Sequence, residues 1–170
     1  MKKFKVLILS FSLLSIQFMN AQSKESNKFY ASTELNIGNY LGWELNVNFV
    51  TKKQNTVKIG FLNLLRGSDD VDDDELFPYD LCQSFQICFG KIYELNPKET
   101  VRANISVGLG STLVLDESNA GRSVSLIINP KIEFPFTRFF GLTFSPMLQL
   151  NKHSSYYGIG IGCVIGVLRD

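Results

Sequence analysis

Apolar and polar residues alternate along most of the chain with a period of two. In residues 41–49 every odd position is apolar and every even position is polar or glycine, and residues 101–110 repeat this arrangement. Strict alternation places side chains on the two opposite faces of an extended strand. No window shows a convincing helical period. The pattern therefore predicts an all-β protein whose strands each have one apolar and one polar face.

Alternating segments of this kind follow one another along the whole chain after its first part. We count eight, at roughly 28–38, 41–50, 56–65, 79–92, 100–115, 123–134, 139–150 and 156–168. Each has about the 9–11 residues of a tilted strand that crosses a bilayer, or a few more. The third segment slips phase between Phe61 and Leu62, which predicts a β-bulge there. Pro130 and Pro146 fall inside the sixth and seventh segments, where each removes a donor from the ladder.

The connections between these segments differ at the two ends of an up-and-down array. Residues 38–41, 66–78, 116–122 and 151–155 would lie at one end, and residues 51–55, 93–99 and 135–138 at the other. The second set is uniformly short, and the first set contains the longest loop. Short turns at one end and longer loops at the other are typical of barrels that cross an outer membrane.

The apolar face is too large to be the interior of such a barrel. It carries roughly forty residues, whereas an eight-stranded interior is only just wide enough to be filled by side chains or one small ligand. In the last segment the opposite face is largely glycine, at Gly158, Gly160, Gly162 and Gly166. A solvent-facing row of glycines would weaken the strand, but small residues fit inside a narrow barrel. We therefore expect the apolar face to meet lipid. A soluble, secreted barrel that binds an apolar ligand is the alternative.

The first 21 residues have the organisation of a secretory signal peptide. Lys2, Lys3 and Lys5 precede an apolar run at 6–18, and Ala21 stands before a polar stretch. The run is shorter than the 17 or more residues that a spanning helix needs, and no later run reaches that length. We expect cleavage after Ala21. Residues 22–170 then form one domain of net charge −2, from 17 − 3 = 14 basic and 16 acidic residues.

The chain resembles the small, eight-stranded outer-membrane β-barrel proteins of Gram-negative bacteria. The residues that carry the resemblance are the Asn20-Ala21-Gln22 junction, the eight amphipathic segments and the glycine-alternating end YYGIGIGCVIGVLRD. It covers essentially the whole mature chain. It implies one closed, antiparallel, up-and-down barrel in the outer membrane, surrounded by lipid. Because it is a resemblance of pattern, it implies no catalytic residue.

Composition and cysteine spacing exclude several other classes of function. Near-equal numbers of basic and acidic residues, 17 and 16, argue against a nucleic-acid partner. One histidine and three cysteines argue against a zinc site, and we predict no metal and no cofactor. Cys82 and Cys88 lie on one strand at a separation of about 20 Å, beyond disulfide reach. Cys163 lies on the other face of its strand. We expect three free thiols that serve in packing.

Six charged residues fall on the polar face, which is the predicted interior. Three acids balance three bases: Glu34, Glu44, Glu133, Lys58, Arg102 and Lys131. Buried charges are costly unless they are paired, so we expect ion pairs across the lumen. Two functions fit such a set, a path for ions or protons and a polar plug that fixes the strand register. Eight strands leave little room for a channel, which favours the plug.

The loop at 68–75 holds six of the sixteen acidic residues. Asp70, Asp72 and Asp74 have the opening spacing of a calcium loop, but the sixth and twelfth positions lack the required glycine and glutamate. The EF-hand match therefore fails. We interpret the run as a solvated loop. The alternative is a weak site for a divalent cation that bridges to lipopolysaccharide.

His153 and Ser155 form an H-x-S arrangement, which small outer-membrane barrels that deacylate lipid A also use. A serine nucleophile needs a base that is held by a third, usually acidic, group. Glu117 and Glu133 fill that role only if the fold brings them close. We therefore expect no catalytic residues, and we predict a non-enzymatic barrel with a structural or surface-interaction role. A lipid A acyl hydrolase is the alternative.

Overall fold

The computed structural model describes residues 28–67, 79–98, 100–116 and 119–168. The expected signal peptide, 1–21, lies outside these residues, so its cleavage stays a prediction. No helix in the described ranges is long and apolar enough to cross a membrane. The strands are β1 (Lys28–Gly38), β2 (Leu41–Val50), β3 (Asn55–Gly67), β4 (Tyr79–Glu94), β5 (Arg102–Asp116), β6 (Asn119–Pro135), β7 (Phe140–Leu150) and β8 (Tyr156–Gly166).

The strands close into a single barrel in sequence order. Each strand pairs antiparallel with its neighbours in the chain, and β1 pairs with β8 from Tyr30–Gly166 to Gly38–Gly158. Closure leaves no edge strand with unpaired backbone groups. This confirms the predicted fold class, an all-β, closed, antiparallel, up-and-down barrel of eight strands.

The connections at the two ends of the barrel differ less than the sequence predicts. Residues 39–40, 68–78, 117–118 and 151–155 connect the strands at one end, and residues 51–54, 95–101 and 136–139 connect them at the other, so only the connection at 68–78 is clearly longer than the rest. We call the end that carries the β2–β3, β4–β5 and β6–β7 turns the lower end, and the opposite end the upper end. The β2–β3 turn is tight: Thr51 N donates to Asn55 O at 2.8 Å, and Gln54 adopts the left-handed conformation at φ 61°. At the upper end β6 begins at Asn119, before its predicted start at 123, and β5 ends at Asp116, one residue after its predicted end. Asp116 pairs with Asn119, so most of the predicted 116–122 loop is strand.

The outer wall is apolar. Large aliphatic and aromatic side chains project from every strand, for example Leu35, Leu109 and Ile161, which are 66%, 60% and 56% exposed. The side chains at the alternate positions are buried, and most of them are polar. This distribution is the reverse of a water-soluble protein, in which the polar residues face outward. It contradicts the alternative of a soluble barrel with an apolar lumen.

The predicted bulge in β3 is wrong. The register between β2 and β3 runs without interruption from Leu41–Leu65 to Val50–Thr56, and that between β3 and β4 is equally continuous. Leu62 and Leu64 keep their inward direction and are completely buried. The phase of the strand does not change; instead, the lumen itself becomes apolar toward the upper end.

The two prolines do mark an irregular seam, in a way that the sequence alone could not show. The β6–β7 ladder is paired from Leu126 to Ile128 and again from Ile132 to Pro135, with no pairs between, although all these residues are described. The register on either side sets Pro130 opposite Pro146. Since neither proline has a backbone N–H, no ladder hydrogen bond can form between them.

Candidate functional site: a filled polar lumen

The six charged residues predicted for the interior all lie there. Their side chains converge on the lumen from β1, β2, β3, β5 and β6, and each residue is at most 4% exposed. They form three ion pairs, Lys131–Glu34, Lys58–Glu44 and Arg102–Glu133. The expectation that buried charges pair across the lumen is therefore confirmed. Each pair also has polar partners that sequence reasoning had not identified.

The first pair is set against the glycines of β8. Lys131 Nζ contacts Glu34 Oε1, and Ser145 Oγ donates to Glu34 Oε2. A Cβ on Gly160 would lie 2.5 Å from Ser145 Oγ and 2.8 Å from Glu34 Oε2. A Cβ on Gly162 would lie 2.7 Å from Glu34 Cα. The inward row of glycines in β8 therefore gives the Glu34 carboxylate the space to reach its partners.

The second pair is connected to the proline seam. Lys58 Nζ lies 3.3 Å from Glu44 Oε1 and donates to Asn129 Oδ1 at 2.9 Å. The amide of Asn129 in turn donates from Nδ2 to the carbonyl of Pro146 at 3.3 Å. A side chain of the lumen thus supplies a donor at the point where the β6–β7 ladder lacks one.

The third pair lies toward the lower end. Arg102 Nε donates to Glu133 Oε2 at 2.5 Å, and Arg102 Nη1 donates to the carbonyl of Leu168 at 2.5 Å. Tyr30 donates from its hydroxyl to Glu133 Oε1 at 2.7 Å, and its ring lies 4.9 Å from the Arg102 guanidinium carbon. The pair thereby ties β5 and β6 to β1 and to the chain that follows β8.

Uncharged side chains fill the rest of the lumen. Toward the upper end Leu62, Leu64, Val114, Met147 and Tyr156 belong to one buried apolar cluster. Beside it, a hydrogen-bonded group joins β4, β5, β6 and β7. Its members are Ser84, Thr112, Ser125 and Gln149. Toward the lower end a second apolar cluster surrounds the third ion pair: Tyr30, Val50, Ile92, Val164 and Leu168.

The H-x-S arrangement lies at the upper rim, and among the described residues no acidic side chain pairs with His153 to complete a triad. The backbone N–H of His153 donates to Asn151 Oδ1 at 2.8 Å, and the imidazole lies against Gly121. The Ser155 hydroxyl contacts the backbone of Asn151. Glu133, one of the two acids considered as an orienter, is engaged with Arg102 inside the barrel.

The remaining candidates from the sequence concern metal binding and the thiols. Two candidates lie outside the described residues. One is Glu117, the second acid considered as an orienter of His153, and the other is the acidic loop 68–75 with Asp70, Asp72 and Asp74. In the described ranges no group of three or more histidine, cysteine or acidic residues is placed to hold a metal ion. Cys82 and Cys88 are buried in the lumen, Cys163 is on the outer wall, and all three thiols are free, as predicted.

Sequence reasoning missed Tyr30, Asn129 and Ser145 as partners of the charges. Parity places them on the inner face, because Tyr30 has the parity of Glu34 in β1 and Asn129 that of Lys131 in β6. Which partners meet depends on the stagger of the strands around the barrel. Lys131 and Glu34 are 97 residues apart and on non-adjacent strands, so no local pattern pairs them.

Comparisons with known proteins agree with this fold. The sequence matches no protein-family model and no curated protein. The structure is similar to that of the Yersinia pestis outer membrane protein Ail in a phospholipid bilayer nanodisc (TM-score 0.58, 14% identity, 83% of this chain and 99% of Ail). Ail in complex with the heparin analogue sucrose octasulfate gives a TM-score of 0.54 at 11% identity, over 84% of this chain and 99% of that one.

A major outer membrane protein from Thermus thermophilus is also similar, with a TM-score of 0.62 and 9% identity over 84% of this chain and 100% of that one. Identities this low establish a shared fold and nothing finer. They confirm the resemblance predicted from the sequence, and they agree with the outer-membrane location that it implied. The chain has the eight-stranded barrel fold of small outer-membrane proteins.

Proposed function

We propose that the protein is a non-enzymatic outer-membrane barrel that presents its upper-end connections at the cell surface, in a structural or surface-interaction role. The observation that carries the proposal is the filled lumen. Paired charges, hydrogen-bonded side chains and two apolar clusters occupy it, and their residues are at most 4% exposed. A lumen packed in this way serves as the core of a membrane-embedded support, with no path for a solute.

The outer wall supports the membrane location. Its exposed apolar residues would be costly in water, and barrels that cross a bilayer have such a band on the outside and polar residues inside. The longest connection, between Gly67 and Tyr79, supports the direction of insertion, since outer-membrane barrels turn their short connections to the periplasm and their longer loops outward. The upper end then faces the exterior.

The rim supports a role in display. Tyr40 and Ser154 share a hydrogen bond of 2.6 Å, and Arg66 pairs with Asp80 at 2.6 Å while its guanidinium lies 5.2 Å from the Tyr40 ring. These contacts fix the points where three of the upper connections leave the barrel. For Ail, the solved complex with a heparin analogue shows that a barrel of this fold can bind a ligand.

Two measurements on the mature chain test the proposal. In planar bilayers the inserted protein should add no conductance to that of the lipid alone; stepwise ion conductance would contradict a plug. In intact cells, Lys152→Cys in a Cys163→Ser background should react with a membrane-impermeant maleimide, and the matched Lys53→Cys variant at the lower end should not. Labelling at position 53 alone would show that the barrel has the opposite orientation. Labelling at neither position would show that the protein is not exposed at the cell surface.

Lipid A composition distinguishes the non-enzymatic barrel from a lipid A acyl hydrolase. Mass spectrometry of lipid A from cells with and without the protein should give identical acylation patterns. A missing acyl chain that returns on His153→Ala would establish a hydrolase and overturn the non-enzymatic assignment. Because His153 is exposed at the rim, this substitution leaves the barrel wall intact and isolates the chemical question.

A further inference from the structure

The lower end of the barrel carries basic residues around its whole circumference. They stand at the start of β1, near the end of β4 and in the β2–β3, β4–β5 and β6–β7 turns: Lys28, Lys91, Lys52, Lys53, Lys98 and Arg138. We call these six residues the lower cation belt. Among described residues, Glu94 is the carboxylate on the surface of this end, and it accepts a hydrogen bond from Gln54 at 2.9 Å. In the described part of this end, six belt cations therefore stand against one surface carboxylate.

Aromatic side chains place the belt at the boundary of the lipid-facing wall. Lys91 projects outward between Phe89 and Tyr93, which are 40% and 48% exposed, and its ammonium lies 5.5 Å from the centroid of the Tyr93 ring. The Arg138 guanidinium lies 5.5 Å from the ring of Phe139. Girdles of aromatic residues mark the interfaces of membrane barrels. Cations among them stand at the depth of lipid headgroups, with their stems along the apolar wall.

We propose that the lower cation belt binds the anionic headgroups of phospholipids in the leaflet around this end of the barrel. A folded protein partner would meet one patch, whereas these cations lie in every turn of the lower end and surround the wall. Each basic side chain near an anionic membrane surface strengthens association by a factor of roughly five. The inference rests on the proposed membrane location and adds a selection of lipid that the location alone does not require.

Tryptophan fluorescence can compare the lipids at the two ends. The chain has one tryptophan, Trp43, on the outer wall near the upper end, and it is the matched control. Phe136→Trp in a Trp43→Phe background moves the reporter to the lower end, beside the belt. Each protein is folded into vesicles of phosphatidylcholine and phosphatidylglycerol in which one of the two lipids carries brominated acyl chains, which quench the tryptophan on contact.

Brominated phosphatidylglycerol should quench the tryptophan at position 136 more strongly than brominated phosphatidylcholine does, with an association constant roughly two to five times greater. At Trp43 the two lipids should quench about equally. Equal quenching at both positions would overturn the inference while leaving the membrane location intact. Absence of quenching by either lipid at both positions would instead refute the location.

Substitutions and added salt identify which residues cause any preference for phosphatidylglycerol. Combined replacement of the six belt residues by Gln should abolish the preference for phosphatidylglycerol. If that variant folds poorly, Lys91→Gln alone should reduce the preference. Arg122→Gln with Lys152→Gln, at the upper end, should leave it unchanged. Sodium chloride should weaken it by screening. Inorganic phosphate at equal ionic strength should weaken the preference for phosphatidylglycerol no more than sodium chloride does. A stronger effect of phosphate would assign the belt to free anions. If the combined variant keeps the preference, the proposal is overturned.

Discussion

Neutralising one member of a buried ion pair tests whether the lumen is as dry and packed as its geometry indicates. Glu133→Gln keeps the size of the side chain and an oxygen that can accept from Tyr30, but it removes the charge that faces Arg102 at 2.5 Å. Arg102 then carries an uncompensated charge in a lumen where it is 4% exposed. Breaking a buried pair in this way costs about 3–5 kcal/mol of the free energy of unfolding.

The rim supplies a matched control in which the cation of the ion pair reaches water. Asp80→Asn removes the charge opposite Arg66, whose side chain is 52% exposed although Asp80 itself is buried. Because water hydrates the cation that is left, the loss should be near that of an exposed pair, about 0.2–1 kcal/mol. A second control removes the stranded charge. Arg102→Met added to Glu133→Gln should recover part of the loss, although the Leu168 carbonyl then lacks its donor. Neutral replacement of a buried pair is less damaging than leaving one charge alone.

Reversible urea unfolding in phospholipid vesicles measures all four free energies. Trp43 reports on unfolding because it leaves the lipid-facing wall when the barrel opens. The ordering should be wild type, Asp80→Asn, the double variant and Glu133→Gln, from most to least stable. If Glu133→Gln costs no more than Asp80→Asn, water hydrates Arg102 freely, and both the filled lumen and the proposal built on it are refuted.

Four further substitutions examine facing, packing and chemistry. Val47→Arg should cost about 2–4 kcal/mol, because it places a cation near the middle of the lipid-facing wall, against about 1 kcal/mol for Asn46→Ala on the inner face; urea unfolding in vesicles measures both, and the reverse order would contradict the assigned faces. Gly160→Ala should lower the free energy of unfolding by about 1–3 kcal/mol because it crowds Glu34. It should also slow refolding, which the shift in gel mobility of the folded barrel measures. A neutral effect would show spare room beside the carboxylate. His153→Ala should leave stability and lipid A unchanged, as unfolding and mass spectrometry can verify.

The alternation of residue types was enough to predict the strands and their faces. The bounds of β1 and β2 were predicted to the residue, because strict alternation ends there at recognisable turns. The glycines of β8 were predicted to face inward, and they do. Both results follow from the two-residue period, which assigns every side chain to a face once the apolar face is known to be outside.

The sequence could not predict what depends on the third dimension of the barrel. Leu62 and Leu64 looked like a change of phase because a pattern shows polarity and not depth, and an apolar side chain on the inner face mimics a bulge. The contact between Lys131 and Glu34 depends on the stagger of strands that are not neighbours. The early start of β6 at Asn119 was missed because that segment has small and polar residues without alternation.

The opposed prolines make the β6–β7 seam mechanically unlike the rest of the wall. Two short backbone ladders flank a gap, and Asn129 reaches across it from within to the carbonyl of Pro146. Asn129 is itself held by Lys58, and Lys58 by Glu44. We therefore expect opening fluctuations of the barrel wall to concentrate at this seam. The Lys58–Glu44 ion pair inside the lumen should limit their amplitude, because it holds Asn129 in place. A substitution at Glu44, which is buried in the lumen, should therefore change the mobility of the outer wall that contacts the acyl chains.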